Sequence, residues 1–514
     1  MRFILTTRVI LGSITVLALF TRFWFFPQDI YFGFDQARDA YAVQELLQGD
    51  LKIVGPTTSF LGLHHGILHY YLSAPFYWLG QSDPAWVAAF LRVANALGVI
   101  IIFAIASLAF SPQVGYIAAL LFAFSFEQTQ FAMYINNPSL ATVSMLVMFW
   151  GLALLFFAKK PIGLPIVALG LGLSIQFELA LAYLAILVLL LIFLFSKSMP
   201  RISARIFLVA IVVILLTLSS YLVAEVKFGF GSWQALTSFA QTSGNKSFDG
   251  VFNTAIYTIA KMTRYNIVGD NFLSLPLGIF LIMAGGLLFW RNLYRQQLIF
   301  LVVWFFSVVI MYLLGGSTAD PQNNVPLYYT NIGISPALLI FSALILYKIF
   351  KLVPVLGIGL LGLILINNLQ LIAYNNPKGT ISELTVQRGM LLSDQKQVVD
   401  FIYSDAGRQP FAIKAITMPF FVGTTWSYLF DWYGRSRFGY VPIWNGKQAL
   451  GFPNKLPHQE RQEGLPAKRY LIVEPLRGVP YYLVEDYFKE EDYFTKVISQ
   501  KQIGQFLIQE RKKF

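Results

Sequence analysis

The sequence predicts a polytopic α-helical membrane protein, with helices lying along its outer face and a small C-terminal α/β domain. Three observations carry this. Of 514 residues, 56% are hydrophobic and only 12% are charged, whereas globular proteins carry roughly a quarter charged residues. Mean hydropathy is +0.61. Apolar runs of about 20 residues, the length that crosses a bilayer, recur as far as residue 370. The formal charge of +12 fits basic residues flanking membrane spans and does not point to nucleic acid. With no cysteine, disulfides, thiolate ligands and thiol nucleophiles are excluded.

About eleven spans are expected, near 8–26, 84–109, 113–131, 138–158, 161–177, 179–196, 205–224, 273–290, 297–314, 331–348 and 352–370. The first, "VILGSITVLALFTRFWFF", is as long as a full span, and no small-residue cleavage site follows it. It reads as a retained helix and not as a signal peptide. Arg2 and Arg8, Lys159 and Lys160, Lys197, Arg201 and Arg205, Arg291 and Arg295, and Lys348 and Lys351 fall on one side if the spans alternate. The opposite loops "EQTQFAMYINNPS" and "GGSTADPQNNVPLYYT" contain no lysine or arginine. Positive charge marks the cytoplasmic side. The N-terminus is therefore expected inside and the C-terminal domain outside, in a multi-pass protein of the cell membrane.

Three outer segments are long: 27–83, 225–272 and the tail from about 374. Residues 1–373 are expected to form the transmembrane module and 374–514 the extracytoplasmic domain. "DQARDAYAVQELLQG" and "HHGILHYYLSAPFYWLG" have helical apolar spacing but are too short and polar to span, so they read as interfacial helices. In the tail, "DQKQVVDFIYSDAG", "TWSYLFDWYGR" and "PYYLVEDYFKEE" read as helices. "FAIKAIT", "RYLIVEP" and "GQFLIQER" read as strands, and the alternation suggests an α/β fold.

Ionisable groups where a helix leaves the membrane call for a reason. In "YFGFDQARDAYAVQELLQGD", Asp35 and Asp39 are four apart and share a helix face, while Asp35 and Arg38 are three apart and can meet. Asp35 follows "FGF" at the expected helix start, and on composition alone it reads first as a plain N-cap.

These residues carry a resemblance. An Asp shortly after the first span, opening a helix, resembles the first outer loop of GT-C glycosyltransferases. The likeness is to glycosyltransferase family 39, the group of protein O-mannosyltransferases and lipid A aminoarabinose transferases. It continues through "GPTTSFLGLHHGILHYYLSAPFYWLG", "AAFLRVANALGVI" and "FEQTQFAMYINNPSLATVSMLVMFW", over about the first third of the chain. The resemblance implies a GT-C-like fold and a sugar moved from a polyprenyl-phosphate carrier to an acceptor hydroxyl on the extracytoplasmic side, with inversion. The acceptor would be a protein, lipid or glycan. Asp35 matches the family's catalytic Asp and would be the general base. Arg38 would serve the donor phosphate or sugar. Neither cofactor nor metal is implied.

Two positions depart from the family pattern. Its second Asp, before Pro, is Asn137 here, which can bind a sugar hydroxyl but cannot act as a base. Asp39 and Glu127 are then the spare carboxylates. "LHHGILHYY" stands where the aminoarabinose transferases tend to have Glu-Lys-Pro, so His64 or His65 would take over the phosphate contact. His65 and His69 are four apart, the spacing of paired metal ligands on a helix, but no further fixed ligand is visible. Glu178 falls at an outer turn and is either functional or a loop residue. Lys261 and Arg264 run against the positive-inside bias and read either as a phosphate clamp, Arg264 foremost, or as headgroup contacts. "LFDWYGRS" loosely resembles an oligosaccharyltransferase motif and reads as the end of an amphipathic helix. The competing functions are a transporter or flippase of lipid-linked sugars and a non-catalytic binder of them.

Overall fold

The computed structural model describes residues 2–58, 62–231, 233–235, 237, 248–289, 294–313, 331–385 and 387–514. The loop 315–330 and Arg291 lie outside the described residues. The chain is a multi-pass helical membrane protein, and all eleven expected segments contain helix. Among the described residues, five helices are long and apolar enough to cross a membrane, or up to eight if each of three bent pairs counts as one span.

Helix α1 (Arg2–Phe23) leads through a turn to α2 (Phe34–Leu47) and α3 (Leu68–Leu79), the two expected interfacial helices, and then to the long α4 (Pro84–Ala109). Asp83 accepts the Ala85 N–H at 2.9 Å, with Pro84 at the first helical position, so the start of α4 is written in its sequence.

Several spans depart from straight rods. The segment expected at 113–131 is two helices, Pro112–Phe124 and Phe126–Met133. Ser125 separates them because its hydroxyl accepts the Gln128 N–H at 3.1 Å and caps the second. Ala204–Thr217 and Ser219–Lys227 are bent by 55°, and Arg295–Phe305 and Ser307–Leu313 by 45°. Helix Phe248–Asn266 fills much of the expected outer segment 225–272 and turns by 107° into the next helix.

The middle of the bundle packs through small residues, as membrane helices do. Helix Ala141–Phe156 lies against Gly163–Phe177 so closely that a Cβ on Gly151 would meet the Val167 nitrogen at 2.7 Å. Phe149 stacks on Trp304 with ring centroids 3.7 Å apart, and the Trp304 indole N–H donates to Gly333 O at 2.9 Å.

Near the end of α1 and the start of α4 two arginines are fully buried. Arg22 donates to Asn95 Oδ1 at 3.1 Å and Phe122 O at 2.9 Å. Arg92 donates to Arg22 O at 2.9 Å and Asp29 Oδ1 at 2.7 Å, and its guanidinium lies over the Phe26 ring.

The C-terminal part holds a six-stranded mixed sheet in the order β3-β2-β1-β4-β6-β5. The strands are β1 (Phe411–Ile416), β2 (Ile443–Asn445), β3 (His458–Gln459), β4 (Lys468–Val473), β5 (Thr495–Ile503) and β6 (Phe506–Lys513). β1 pairs parallel with β2 and β4, and β6 runs antiparallel to both β4 and β5. The three strands read from sequence are β1, β4 and β6. β2 and β3 are too short to show a period. β5 is exposed along nearly its whole length, so its sequence lacks the apolar alternation by which strands are found.

This sheet region packs on the segment between α1 and α4. Tyr41 and Ser427 hydroxyls meet at 2.8 Å, the Tyr428 hydroxyl donates to Ser82 O at 2.6 Å, and the Trp432 indole donates to Gln81 O at 3.1 Å. Trp432 belongs to "LFDWYGRS", which forms a π-helical turn (Phe430–Gly434) and not the plain end of an α-helix.

Candidate functional site

The start of α2 shows what Asp35 does not do. Gly33 is the N-cap residue, and its N–H donates to Gln36 Oε1 at 3.0 Å. The first turn is therefore capped by Gln36, whose Nε2 also donates to Ile135 O at 2.8 Å. Asp35 is free of that duty. The Asp35 side chain is 44% exposed, against 6% for Asp39 on the same face.

Arg38 joins the two carboxylates. Its Nη1 donates to Asp35 Oδ1 at 2.8 Å, and its Nε donates to Asp39 Oδ1 at 2.9 Å. The Tyr70 hydroxyl, from α3, donates to the same Asp39 oxygen at 3.2 Å, while Asp39 Oδ2 is buried without a hydrogen-bond partner. Desolvation raises the pKa of Asp35, Arg38 opposes it, and Asp39 reinforces it. Solvent at the exposed face moderates the rise without changing its direction. Asp39 is also raised by burial. On Arg38, burial works against the charge, but Asp39 and Asp35 outweigh it, so the guanidinium stays charged.

His65 is near enough for its charge to act on both Asp35 and Asp39. Its Nδ1 accepts from Leu179 N–H at 3.4 Å and lies 3.6 Å from Glu178 Oε1. Glu178 is buried and caps the turn that follows it by accepting the Ala180 N–H at 3.2 Å. His64 and His65 line a cavity of about 250 Å³ together with Ile53, Val54, Tyr221 and Phe228. His64 Nδ1 is buried without a hydrogen-bond partner. His69 points elsewhere. α3 begins only at Leu68, so His65 and His69 do not share a helix face. His69 is buried, and desolvation, then the charge of Arg38, lowers its pKa to about 4. Among the described residues no group of three or more His, Cys, Asp or Glu could hold a metal ion.

Asn137 is buried in a short turn (Asn137–Leu140), where its amide N–H donates to Phe177 O. Glu127 and Arg264 belong to a second polar cluster around helix Phe248–Asn266. Asn266 Nδ2 donates to Glu127 Oε2 at 3.1 Å. Arg264 packs over the Tyr265 ring and has a buried Nε without a hydrogen-bond partner. Lys261 is taken up by Glu383 at 2.8 Å. Burial pushes the Glu383 carboxyl up, but Lys261 and Tyr265 outweigh it and hold it below the usual range.

The structure thus gathers Asp35, Arg38, Asp39, His65 and Glu178. Tyr70, Gln36 and the Asp29–Arg92 pair were not singled out in the sequence. Tyr70 lies in an aromatic-rich helix where one tyrosine looks like another, and only the fold brings Asp29 to Arg92.

Comparisons with known proteins follow this architecture. Residues 64–223 match the family model described as dolichyl-phosphate-mannose-protein mannosyltransferase. The match contains His64, His65, Glu127, Asn137 and Glu178, and stops short of Asp35, Arg38 and Arg264. The fold is similar to that of ArnT from Cupriavidus metallidurans, solved bound to undecaprenyl phosphate (TM-score 0.57, 10% identity, 99% of this chain and 98% of that one covered). It is also similar to the oligosaccharyltransferase of Archaeoglobus fulgidus tethered with an acceptor peptide (TM-score 0.51, 13% identity, 82% of this chain and 62% of that one). A comparison with curated proteins found no match. The structural likeness carries the fold, and the family-model match, over residues 64–223 of the chain, is to a family of glycosyltransferases.

Proposed function

We propose that the chain transfers a sugar from a polyprenyl-phosphate carrier to an acceptor hydroxyl at the extracytoplasmic face, with inversion and with Asp35 as general base. The observation that carries this is the state of Asp35: relieved of capping by Gln36, open on one side, and paired with Arg38 through only one oxygen. The free oxygen is then available to an alcohol. In the reaction the acceptor oxygen bonds to the anomeric carbon and its proton passes to Asp35. The bond from that carbon to the phosphate oxygen breaks, and polyprenyl phosphate leaves with the electron pair. A single displacement inverts the centre. Arg38 opposes the protonation that burial favours and so favours the ionised base. His64 and His65, in the wall of the adjacent cavity, are the groups we assign to the departing phosphate, with Arg264 a further cation toward the donor. Asn137 would contribute its amide oxygen to a sugar hydroxyl. The N-terminus is cytoplasmic in this reading, and residues 374–514 form the outer domain. The lipid phosphates in solved structures of similar fold, undecaprenyl phosphate with ArnT and dolichol-phosphate with the archaeal oligosaccharyltransferase AglB (TM-score 0.50, 11% identity, 85% of this chain and 64% of that one), support the choice of carrier.

The test is release of polyprenyl phosphate by purified protein given polyprenyl-phosphate hexoses, pentoses and aminosugars, wild type against Asp35→Asn. A loss of about 100-fold or more is expected on removing a general base. Equal rates would end the role of Asp35. The three bent helix pairs favour a second reading, a transporter of lipid-linked sugars. Flipping in vesicles without any covalent transfer would replace the first reading with this one.

A further inference from the structure

The direction of Asp35 is set by the two residues ahead of its helix, and these are held from the far end of the chain. Phe32 N–H donates to Met390 O at 2.8 Å and Leu392 N–H donates to Ile30 O at 2.9 Å, either side of an antiparallel bridge between Tyr31 and Leu391. Gln395, in the first turn of helix Leu392–Ala406, is wholly buried and donates from Nε2 to Phe32 O at 2.7 Å. Gly33 N–H goes to Gln36 and Gly33 O accepts the Ala37 N–H at 3.1 Å. Every backbone polar group of Phe32 and Gly33 is thereby fixed, two of them by the segment 390–395. α2 begins at the next residue, so any rotation at Phe32 is carried rigidly into Asp35.

We propose that Gln395 is a positioning residue for the Asp35 carboxylate, acting through the Phe32 carbonyl. The inference rests on the reading of Asp35 as general base. A second observation separates this role from mere stabilisation. Gln395 Oε1 is buried and has no hydrogen-bond partner. A bare buried acceptor offsets much of what the opposite end of the amide contributes. The side chain therefore adds little net stability while fixing one carbonyl, and its effect falls on geometry.

The experiment uses the full chain in nanodiscs, with labelled polyprenyl-phosphate mannose, pentose and aminosugar as donors, membrane extract as the source of acceptor, and released polyprenyl phosphate as the readout. Gln395→Met keeps the volume and removes the amide. Its kcat is expected to fall about 10- to 100-fold, the cost of a small misplacement, with KM for the donor within about twofold of wild type and Tm unchanged. Amide hydrogen exchange at residues 35–37 should quicken. Gln395→Glu keeps a donor while protonated, so it should hold activity at lower pH and lose it as that carboxyl ionises. Full kcat in Gln395→Met while Asp35→Asn is inactive overturns the positioning role alone. A fall in kcat that merely follows a fall in Tm also overturns it. Wild-type release by Asp35→Asn removes the general-base reading beneath it.

Discussion

Arg38 binds two acids whose pKa burial raises and its own charge lowers. Its loss should act on pH dependence before it acts on folding. The pKa of Asp35 is raised by desolvation and lowered by Arg38, so in Arg38→Gln it climbs further. A base must be ionised, and the acid limb of kcat/KM should therefore move to higher pH. Activity at neutral pH should drop by about tenfold or more and recover in part toward alkaline pH. A pH–rate profile of the two proteins checks this, and an unmoved limb would show that Arg38 does not govern the base. This part of the site was legible in the sequence, because Asp35, Arg38 and Asp39 lie within one helical turn and spacing alone brings them together. His65 and His69 show the limit of that reasoning. A Cβ on Gly66 would run into Gln176, and Gly66 N–H donates to Gln176 O at 3.0 Å. That contact fits the backbone closely against a neighbouring helix just before α3 begins, so periodicity counted across it misleads.

At the scale of elements, the turn between α1 and α2 is anchored by charge in an apolar setting. Asp29 and Arg92 are both buried, 2.7 Å apart, and Arg92 Nη1 has no hydrogen-bond partner. Removing one member of such a pair leaves an uncompensated charge, at a cost of about 3–5 kcal/mol. Asp29→Asn should therefore lower Tm markedly, and Asp29→Asn with Arg92→Met should regain part of the loss. Thermal unfolding of both in detergent measures it; a double variant no better than the single one would deny the coupling. Helices of this kind were readable from hydropathy, and their breaks were not. Ser125 splits a span by capping, and its Ser-Phe-Glu-Gln start signal is overshadowed by the apolar runs on either side. Strand β5 went unread because an exposed edge strand has no buried face to pattern.

For the molecule as a whole, segments of the C-terminal part are drawn together on a buried carboxylate. Glu474 accepts from Trp426 Nε1 at 3.0 Å, Met418 N–H at 3.0 Å and Gln387 Nε2 at 3.2 Å, drawing four segments together. Burial raises its pKa from 4.5 to about 7 despite these donors. An acid whose folded pKa is raised contributes stability that is complete below its unfolded pKa and is lost as pH rises through the folded one. Stability should thus decline between about pH 4.5 and 7, by on the order of 3 kcal/mol. Tm of the full chain across this range tests it. Glu474→Gln, unable to ionise, should flatten the slope, although an amide nitrogen facing donors lowers Tm throughout. A slope equal to wild type would assign the pH dependence to other groups.

The bridge between Tyr31 and Leu391 also orders events during biosynthesis. The ribosome makes position 31 early and position 391 only after every membrane helix has emerged. A nascent chain can therefore be inserted and threaded while the segment carrying its carboxylate still lacks the partner that orients it. If Asp35 is the general base, its chemistry would gain its full orientation only once that later segment has been made.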